Sequence, residues 1–254
     1  MNQKSSVSRG ILRRVADKEK QHWVLLDPDD FLPDEAADIV THACKAGVHA
    51  ILIGGSLLYS NHFDMFVKTV KKHAGKRPVI LFPGDATQLS RHADAVLFLS
   101  LVSGRNPVNL IGEQVKGAPF IKQIGIEPVS TAYMLVESGS VSSVEFMSNT
   151  RPLPRNKPMI AAAHALAAQY MGMKLVYLEA GSGAQLSVPA SMIKMVRSTV
   201  DIPIIVGGGI RSVEDAVEKV EAGADIIVTG NLLRAEGGVD LMEKIARQIN
   251  DYST

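Results

Sequence analysis

Three glycine-rich segments in the second half of the chain have the composition of a phosphate-binding site. "IIVGGGI" (204 to 210) and "IIVTGN" (226 to 231) each follow a short β-branched run, and "YLEAGSGA" (177 to 184) follows an apolar one. Glycine lets backbone N–H groups approach an anion closely, so these loops favour a cup for phosphate. The alternative is a set of tight turns that need positive φ. The predicted cup consists of Gly207, Gly208, Gly209, Gly230 and Asn231.

The "YLEAGSGA" segment adds side chains that suit the other end of a phosphorylated molecule. Glu179 does not suit a phosphate contact because like charges repel, but it can accept a hydrogen bond from a hydroxyl or take its proton. Ser182 and the flanking Gly181 and Gly183 can donate to phosphate, and Tyr177 offers a phenol to a hydroxyl or an anion. These groups together suit a substrate with a phosphate at one end and free hydroxyls at the other. Glycerol phosphate is the smallest such molecule.

A carboxylate closes the first apolar run, in "LLDPDD" (25 to 30). Asp27 lies where a barrel strand presents its functional residue, and a lone carboxylate beside phosphates is how Mg2+ is usually held. The alternative is a helix-initiating turn, since Asp and Pro both form turns. We prefer the turn for Asp29 and Asp30 and the metal role for Asp27. Ser56, in "IGGS", lies one loop away and can add a hydroxyl or a supporting hydrogen bond.

Several other catalytic patterns find no support in the sequence. The histidines are scattered without HxH or HExxH grouping, so neither a zinc site nor a histidine-based triad is indicated. No GxSxG elbow or GxxxxGK[ST] loop occurs, and "GGGI" is not the GxGxxG of a dinucleotide fold. Lys122 and Lys174 are candidate strand residues, which leaves a Schiff-base role open.

The elements that must position these groups recur along the whole chain. Short β-branched or Leu-rich runs alternate with helical or loop-like stretches, a pattern typical of βα units around a parallel sheet. The predicted strands lie near 22 to 27, 49 to 54, 78 to 83, 94 to 100, 120 to 126, 174 to 179, 203 to 207 and 225 to 229. The predicted helices lie at 33 to 46, 61 to 73, 107 to 117, 159 to 172, 188 to 199, 212 to 222 and 237 to 250.

This order of elements predicts a single (β/α)8 barrel, or TIM barrel, within the 254 residues. Only "GDATQLSRHA" separates the third and fourth strands, which is too short and turn-like for a full helix, so we expect a loop in place of the third helix. A doubly wound open sheet is the alternative.

Two parts of the predicted single domain, 1 to 254, depart from the βα rhythm. About 20 residues precede the first strand as an N-terminal extension. The segment 127 to 158 has no helical period and carries three prolines near its end, so we expect an insertion after strand five. It is either a lid or binding loop, or a surface hairpin that turns at "ESGS" (137 to 140).

Composition restricts the class of protein. With 27 basic and 26 acidic residues the net charge is +1, so no chain-wide field attracts nucleic acid or an anionic membrane. The content of 46% apolar and 21% charged residues is ordinary for a soluble globular protein. The single cysteine, Cys44, excludes an internal disulfide and fits a reducing compartment. No apolar run resembles a signal peptide or a transmembrane span, so we expect a cytoplasmic protein.

The order of motifs at the strand ends carries a family resemblance. "LLDPDD", "ILIGGS", "FPGD", "YLEAGSGA", "IIVGGGI" and "VTGN" together resemble the geranylgeranylglyceryl phosphate synthases and the related bacterial heptaprenylglyceryl phosphate synthases, over essentially the whole chain from about residue 10. "VGGGI" and "VTGN" are shared by many phosphate-binding barrels, whereas their combination with "LDPD" and "YLEAGSG" is specific. The stretch 148 to 174 further resembles the branch of the family that is often hexameric.

The resemblance implies a Mg2+-dependent prenyltransferase. In that family the C3 hydroxyl of sn-glycerol 1-phosphate attacks the allylic carbon of a prenyl diphosphate such as geranylgeranyl diphosphate, and an ether forms as diphosphate leaves. Carried over by position, Asp27 and Ser56 would bind Mg2+, and Glu179 would contact the glycerol hydroxyls, either as the base or only as a positioning group. Glycerol 1-phosphate would be held by Tyr177, Leu178, Glu179, Ala180, Gly181, Ser182, Gly183, Gly208, Gly209, Gly230 and Asn231. The family also often lacks the third barrel helix.

Other functions and arrangements stay open at this point. A sugar-phosphate isomerase or aldolase barrel would share the glycines of strands seven and eight, and a non-catalytic barrel would keep only the cup. Leu, Met, Phe and Tyr residues of "GGSLLYSNHF" and of 127 to 147 either line a trench for a prenyl tail or belong to the core. The Ala-rich helix "MIAAAHALAAQYMG" packs against its own barrel or a neighbouring subunit. We expect a homo-oligomer, with a hexamer as one possibility.

Overall fold

The computed structural model describes residues 6 to 252, which form a closed barrel of eight parallel strands. Neighbouring strands pair in sequence order, and the first strand closes the barrel against the eighth. The predicted (β/α)8 barrel is confirmed, and the alternative of a doubly wound open sheet is wrong. The predicted domain, 1 to 254, extends beyond the described residues at both ends.

The strands are short because each spans only the wall of the barrel. Apart from the fifth, they lie within about two residues of the predicted runs. The strands are β1 Gln21–Leu26, β2 Ala50–Ile53, β3 Val79–Leu81, β4 Ala95–Leu101, β5 Glu127–Leu135, β6 Leu175–Glu179, β7 Ile204–Gly207 and β8 Ile226–Thr229.

Several helices begin or end at residue types that favour helix termini, such as Pro, Ser and Gly. Pro33 opens one helix, and Gly47 ends it in the left-handed region with φ of 90°. The Ser212 hydroxyl accepts a hydrogen bond from Asp215 N at 3.1 Å and so caps another. The helices are α1 Val7–Ala16, α2 Pro33–Ala46, α3 Phe63–His73, α4 Glu113–Ile124, α5 Ser143–Ser148, α6 Pro158–Tyr170, α7 Ala190–Arg197, α8 Val213–Glu221 and α9 Gly238–Asp251, with a π-helical turn Val108–Gly112 and a 3-10 turn Asn231–Arg234.

The prediction of strand five at 120 to 126 is wrong. Residues 120 to 124 complete α4, which ends at Gly125 with φ of 73°. The strand is instead "EPVSTAYML", where Val129 and Tyr133 pack inside the barrel while Ala132 and Met134 pack against the helices outside. Pro, Ser and Thr at its start resemble a loop, and pairing along the full length of β4 outweighs that weak local preference.

The connection between β3 and β4 contains no helix, as predicted. The buried Gln88 holds it in place: its amide donates to Gly55 O at 3.0 Å and accepts from Gly84 N at 3.1 Å. This loop therefore packs on the end of β2, and the outer wall between α3 and α4 lacks the helix that other barrel units have.

The core has one inner part and two outer parts. Trp23, Leu52, Ile80 and Leu97 are among the residues that fill the barrel interior. One outer cluster lies between β1 to β4 and helices that include α2 and α3, and the other lies between β5 to β8 and helices that include α6 and α7. With the interior packed, only the two ends of the barrel are available for a site.

The predicted N-terminal extension contains α1, which covers the amino end of the barrel. Ile11 is buried in the inner core, and Glu127, the first residue of β5, accepts hydrogen bonds from Val7 N at 2.6 Å and Ser8 Oγ at 2.5 Å. This end is thereby closed, so the carboxyl end is the open one. No helix within 6 to 252 is long and apolar enough to cross a membrane.

Candidate active site

The carboxyl ends of the strands surround a cavity of about 1060 Å³. The loops after β1, β2, β6, β7 and β8 all contribute to its wall, which is where (β/α)8 barrels carry their active sites. The residues predicted for the site that line this cavity are Asp27, Ser56, Tyr177, Glu179, Gly181, Ser182, Gly183, Gly208, Gly209, Gly230 and Asn231.

Three residues of the predicted site, Leu178, Ala180 and Gly207, do not line the cavity. Side chains alternate along a strand, so Tyr177 and Glu179 point into the barrel mouth while Leu178 and Ala180 pack in the outer core beside α6 and α7. The Ala180 N–H donates to Gly207 O at 3.1 Å and is therefore used within the barrel wall. The family resemblance assigned every residue from 177 to 183 to the site, whereas along the strand only every second side chain points into the barrel mouth.

The glycines after β7 bring two loops into contact. Gly208 and Gly209 have φ of 81° and 72°, in the left-handed region. A Cβ at Gly208 would lie 2.8 Å from Gly181 N, and one at Gly209 would lie 2.9 Å from Ser187 N. The tight-turn explanation therefore holds at both positions, and the close approach of the neighbouring loop requires glycine as well.

A side-chain hydrogen bond joins the other two loops of the cup. Ser182 Oγ, after β6, donates to Asn231 Oδ1, after β8, at 3.0 Å. The backbone around Gly183 lies near the same amide, since a Cβ there would be 3.7 Å from Asn231 Nδ2. The loops after β6, β7 and β8 thus form one continuous wall made largely of backbone.

Glu179 lies at the inner edge of this wall. It is buried, and its Oε1 accepts a hydrogen bond from Gly181 N at 2.7 Å. Burial raises the pKa of Glu179 to about 7, against the lowering effect of that hydrogen bond. Near neutral pH the carboxyl group can therefore both take and give a proton.

Tyr177 lies beside Glu179 in a cluster of three aromatic rings. Its ring stacks on Phe82 with centroids 5.2 Å apart and lies 5.5 Å from the ring of Tyr133. The Tyr177 hydroxyl is buried beside the Glu179 carboxyl group, and its hydrogen-bonding effect lowers the pKa of Glu179 against that of burial. A Cβ at Gly207 would lie 2.6 Å from that hydroxyl, so glycine here makes room for the phenol. A hydroxyl and a carboxyl group side by side at a cavity are suited to bind a ligand hydroxyl.

Asp27 stands across the mouth, directly after β1. It is half-buried, and its Oδ1 accepts from Asp29 N at 3.0 Å. Burial raises the pKa of Asp27 to about 6. Its Oδ2 faces Gly55, where a side chain would overlap it, and Ser56 is the next residue. The predicted pair of Asp27 and Ser56 is therefore brought to one side of the cavity.

Asp29 and Asp30 form the predicted turn and have further contacts as well. Asp30 N donates to Asp27 O at 3.0 Å, which closes the turn. Asp29 accepts from Tyr59 N and Ser60 N, each at 2.8 Å, and so fastens the loop that carries Ser56. Asp30 pairs with Arg234 at 3.1 Å.

The cavity extends from the mouth into an apolar arm. Leu89 from the helix-free connection, Phe98 from β4 and Ile121 from α4 line this arm. It opens where the missing helix would have packed, so the absent element creates space beside the site. No sequence pattern indicated these residues, because they resemble ordinary core positions.

The segments predicted to supply a trench contribute only in part. Leu57 and Tyr59 from "GGSLLYSNHF" line the cavity, whereas Phe63 is buried in the outer core. Residues 127 to 135 of the predicted insertion are strand, and the loop that follows carries α5, whose Phe146 and Met147 also line the cavity. This arrangement supports the binding-loop alternative, and Val136 bridges Leu153 in parallel, so "ESGS" does not turn a simple hairpin.

The candidate lysines for a Schiff base lie away from the cavity. Lys122 is exposed on α4 and Lys174 is exposed before β6, and neither lines the wall. Sequence reasoning missed the cavity-lining Arg211 and Arg234, which follow the recognised glycine motifs by only a few residues. Tyr133, one of the trench candidates in 127 to 147, lines the cavity from the strand whose position was mispredicted.

The fold and site define a (β/α)8 barrel with a glycine-lined cup at its carboxyl end, and comparison with known proteins specifies the family. Residues 14 to 250 match the PcrB family. The geranylgeranylglyceryl phosphate synthase of Thermococcus gammatolerans is 48% identical over 234 residues, 92% of each chain. The chain belongs to this PcrB family of geranylgeranylglyceryl phosphate synthases.

Solved structures agree with this assignment. The (S)-3-O-geranylgeranylglyceryl phosphate synthase from Thermoplasma acidophilum, in complex with substrate sn-glycerol-1-phosphate, is 34% identical with a TM-score of 0.90, and the match covers 98% of this chain and 100% of that one. The enzyme from Thermoplasma volcanium is 37% identical with a TM-score of 0.89, covering 97% and 98%.

Proposed function

We propose that this protein joins the C3 hydroxyl of sn-glycerol 1-phosphate to the geranylgeranyl group of geranylgeranyl diphosphate as an ether, with Mg2+, and releases diphosphate. The observation that carries the proposal is the single cavity in which a backbone cup, the buried Glu179, the half-buried Asp27 and an apolar arm meet. The names of the family relatives support the reaction, and the Thermoplasma acidophilum enzyme with bound sn-glycerol-1-phosphate supports the acceptor.

The acceptor phosphate occupies the cup formed by the loops after β6, β7 and β8. Backbone N–H groups around Gly208, Gly209 and Ser182 donate to its oxygens, and Arg211 of the loop after β7 adds a positive charge to this wall. The glycerol hydroxyls then extend towards Glu179 and the neighbouring Tyr177 hydroxyl. This orientation separates the phosphate from the carboxylate that would repel it.

Glu179 is the candidate base for the C3 hydroxyl. Its pKa of about 7 keeps a substantial fraction ionised at neutral pH, and the hydrogen bond from Gly181 N fixes the orientation of the carboxyl group. As the C3 oxygen bonds to the allylic carbon, its proton transfers to Glu179. A base with a pKa near the working pH is the efficient choice for such a transfer.

The residues around Asp27 suit Mg2+. Among residues 6 to 252 there is no cluster of three or more His, Cys, Asp or Glu side chains that could enclose a metal. A single carboxylate with the neighbouring Ser56 leaves most of the coordination sphere to water and phosphate oxygens, which Mg2+ prefers. When bound, Mg2+ would stabilise the negative charge that develops on the departing diphosphate.

The apolar arm offers a place for the prenyl chain of the donor. Leu89, Phe98 and Ile121 present hydrocarbon next to the mouth, and burial of a chain of isoprene units is favourable by about 25 cal/mol per Å². The aromatic cluster of Phe82, Tyr133 and Tyr177 lies between this arm and Glu179. Its faces can stabilise the electron-poor allylic carbon as the carbon–oxygen bond to diphosphate breaks.

Assembly into a homo-oligomer, such as a hexamer, belongs to this proposal. Helix α6 leaves Met159 65% and Tyr170 80% exposed, together with Met171 directly after it, and buries the four alanines Ala161, Ala162, Ala165 and Ala168. Apolar side chains exposed in a group suit a subunit interface. We place the protein in the cytoplasm on the basis of its one unpaired cysteine, Cys44.

The deciding experiment supplies the protein with Mg2+, radiolabelled geranylgeranyl diphosphate and each enantiomer of glycerol phosphate in turn. We expect an organic-soluble ether with sn-glycerol 1-phosphate, little product with the 3-phosphate, and none with EDTA. A barrel that binds phosphate without catalysis would form no ether with either enantiomer. Equal yields from both enantiomers would contradict the proposed arrangement of cup and base. Light scattering on the same preparation measures the mass of the assembly.

A further inference from the structure

The cavity is short of positive charge for a reaction between two anions. Among the described residues, Arg211 and Arg234 are the cationic side chains that line it, and neither lysine nor histidine does so. Carboxylates are more numerous along the wall, with Asp27, Asp30 and Glu179 near the mouth. A diphosphate that enters this acidic side therefore needs cations beyond a single metal ion.

The Arg211 side chain already makes hydrogen bonds within the cup. Its guanidinium donates to Ala184 O at 2.7 Å and to Gln185 O at 3.3 Å, so it fastens the loop after β6 to the loop after β7. Those two carbonyl groups occupy its donors on one side. Arg211 thus supports the wall that we assign to the acceptor phosphate.

Arg234 is placed differently. It ends the 3-10 turn that begins at Asn231 of the cup, and its Nη2 pairs with Asp30 at 3.1 Å, which joins the loops after the neighbouring strands β8 and β1. Its side chain is 56% exposed, and Asp30 is its one ion-pair partner among the described residues. Arg234 therefore lies between the cup and the carboxylate assigned to the metal.

Resting on the proposed function, we infer that Arg234 binds the diphosphate of the prenyl donor and that Asp30 holds the guanidinium in position. A guanidinium has five N–H donors in a planar fork, so one edge can pair with Asp30 while another grips phosphate oxygens bidentately. As the allylic carbon–oxygen bond breaks, its electron pair stays on the diphosphate oxygen, and Arg234 neutralises part of that charge. The carbon forms its new bond to the C3 oxygen of the acceptor.

The test compares Arg234→Met with Arg247→Met. Arg247 is an exposed residue of α9 that pairs with Glu243 at 2.9 Å, so its substitution removes the same charge from a site outside the cavity. Calorimetry measures the affinity of each purified variant for inorganic pyrophosphate with Mg2+ and, separately, for sn-glycerol 1-phosphate. Circular dichroism melting verifies that each variant is folded.

We expect Arg234→Met to weaken pyrophosphate binding by about tenfold or more, while glycerol phosphate binding changes less than about twofold. Arg234→Lys should recover part of the loss, because it keeps the charge but not the fork. Asp30→Asn should weaken pyrophosphate binding by a smaller factor, since it releases the guanidinium without removing it. In turnover, the KM for geranylgeranyl diphosphate should rise in Arg234→Met and stay unchanged in Arg247→Met.

Two results would overturn the inference: pyrophosphate affinity that is equal in Arg234→Met and Arg247→Met, or an equal loss of both ligands in Arg234→Met. The proposed function is judged separately from this result. If the unsubstituted protein forms no ether while Arg234→Met still loses pyrophosphate selectively, the diphosphate site stands and the proposed reaction is wrong.

Discussion

The two sides of the barrel mouth differ in whether backbone or side-chain groups form the wall. After β6, β7 and β8 the wall is mainly backbone, where Gly208 and Gly209 leave no room for side chains. After β1 and β2 the wall depends on side chains, with Asp27 facing the cavity and Asp29 holding the neighbouring loop. The wall after β6, β7 and β8 should therefore be disturbed by added side-chain atoms, and the wall after β1 and β2 by the removal of side-chain atoms. The proposed reaction would use both kinds of wall, one to position the acceptor phosphate and the other to hold the metal ion and the donor diphosphate.

Removal of the Asp27 carboxylate should have the largest effect. We expect Asp27→Ala to lower kcat by about 1000-fold, because a metal on a leaving group contributes several kcal/mol and each 1.36 kcal/mol is tenfold in rate. The affinity for sn-glycerol 1-phosphate, measured by calorimetry, should change little, since the cup is on the other side. Asp38→Ala, at an exposed position of α2, is the matched control. Turnover that survives in Asp27→Ala would remove this residue from the metal role.

Glu179→Gln comes next and tests the group that lies between the two sides. We expect a loss of about 100-fold or more in kcat if the carboxylate acts as a base, since glutamine keeps the acceptor for Gly181 N but cannot take a proton. In the unsubstituted protein the pKa of about 7 predicts that the rate falls as the pH drops below 7, because protonation removes the base.

The fall in rate near pH 7 should be absent in Glu179→Gln, which leaves only the fall near pH 6 that protonation of Asp27 predicts. A loss below tenfold with the fall near pH 7 retained would leave Glu179 only a positioning role and assign that fall to another group. The comparison is made at saturating acceptor, so that a change in binding does not appear as a change in the chemical step.

Addition of a single methyl group tests the backbone wall. Gly208→Ala and Gly172→Ala both place alanine at a positive φ, 81° and 83°, which costs about 1 to 2 kcal/mol. Only at Gly208 would the new Cβ overlap Glu179 and Gly181, since nothing lies within 4 Å of a Cβ at Gly172. We expect both variants to melt lower, and Gly208→Ala alone to weaken glycerol phosphate binding, by about tenfold.

Calorimetry measures the affinity of the two glycine variants for glycerol phosphate. Equal affinity for glycerol phosphate in both would mean that Gly208 is needed only for the turn. The close contact between the loops after β6 and β7 would then have no role in binding glycerol phosphate. Weaker binding in both would point to a general effect of backbone strain.

The agreement between sequence and structure differs between parts of the barrel. Most strands and the absent third helix were predicted, because short β-branched runs bounded by glycine or proline are strong local signals. Strand β5 was missed, since Pro128 and Ser130 at its start resemble a loop and the pairing with β4 is a long-range interaction. The position of Tyr133 in the mouth was lost with it.

Similar reasons explain the misses within the site. Leu178 and Ala180 lie in a run that resembles the family throughout, and only the strand alternation shows that their side chains face the outer core. The ion pair of Arg234 with Asp30 joins loops about 200 positions apart in the chain, so no spacing rule could have found it. In the sequence Leu89 and Ile121 resemble core residues, and they line the cavity only because no third helix covers them.

The sequence alone determined the βα rhythm, the glycines of the phosphate cup and the acidic residues at the ends of strands one and six, because each depends on the type of one residue or its near neighbours. The tertiary structure decided which of these groups share a cavity, raised the pKa of Glu179 by burial and opened the apolar arm. Those properties arise from distances between loops and from the exclusion of water, and both exist only once the barrel has closed.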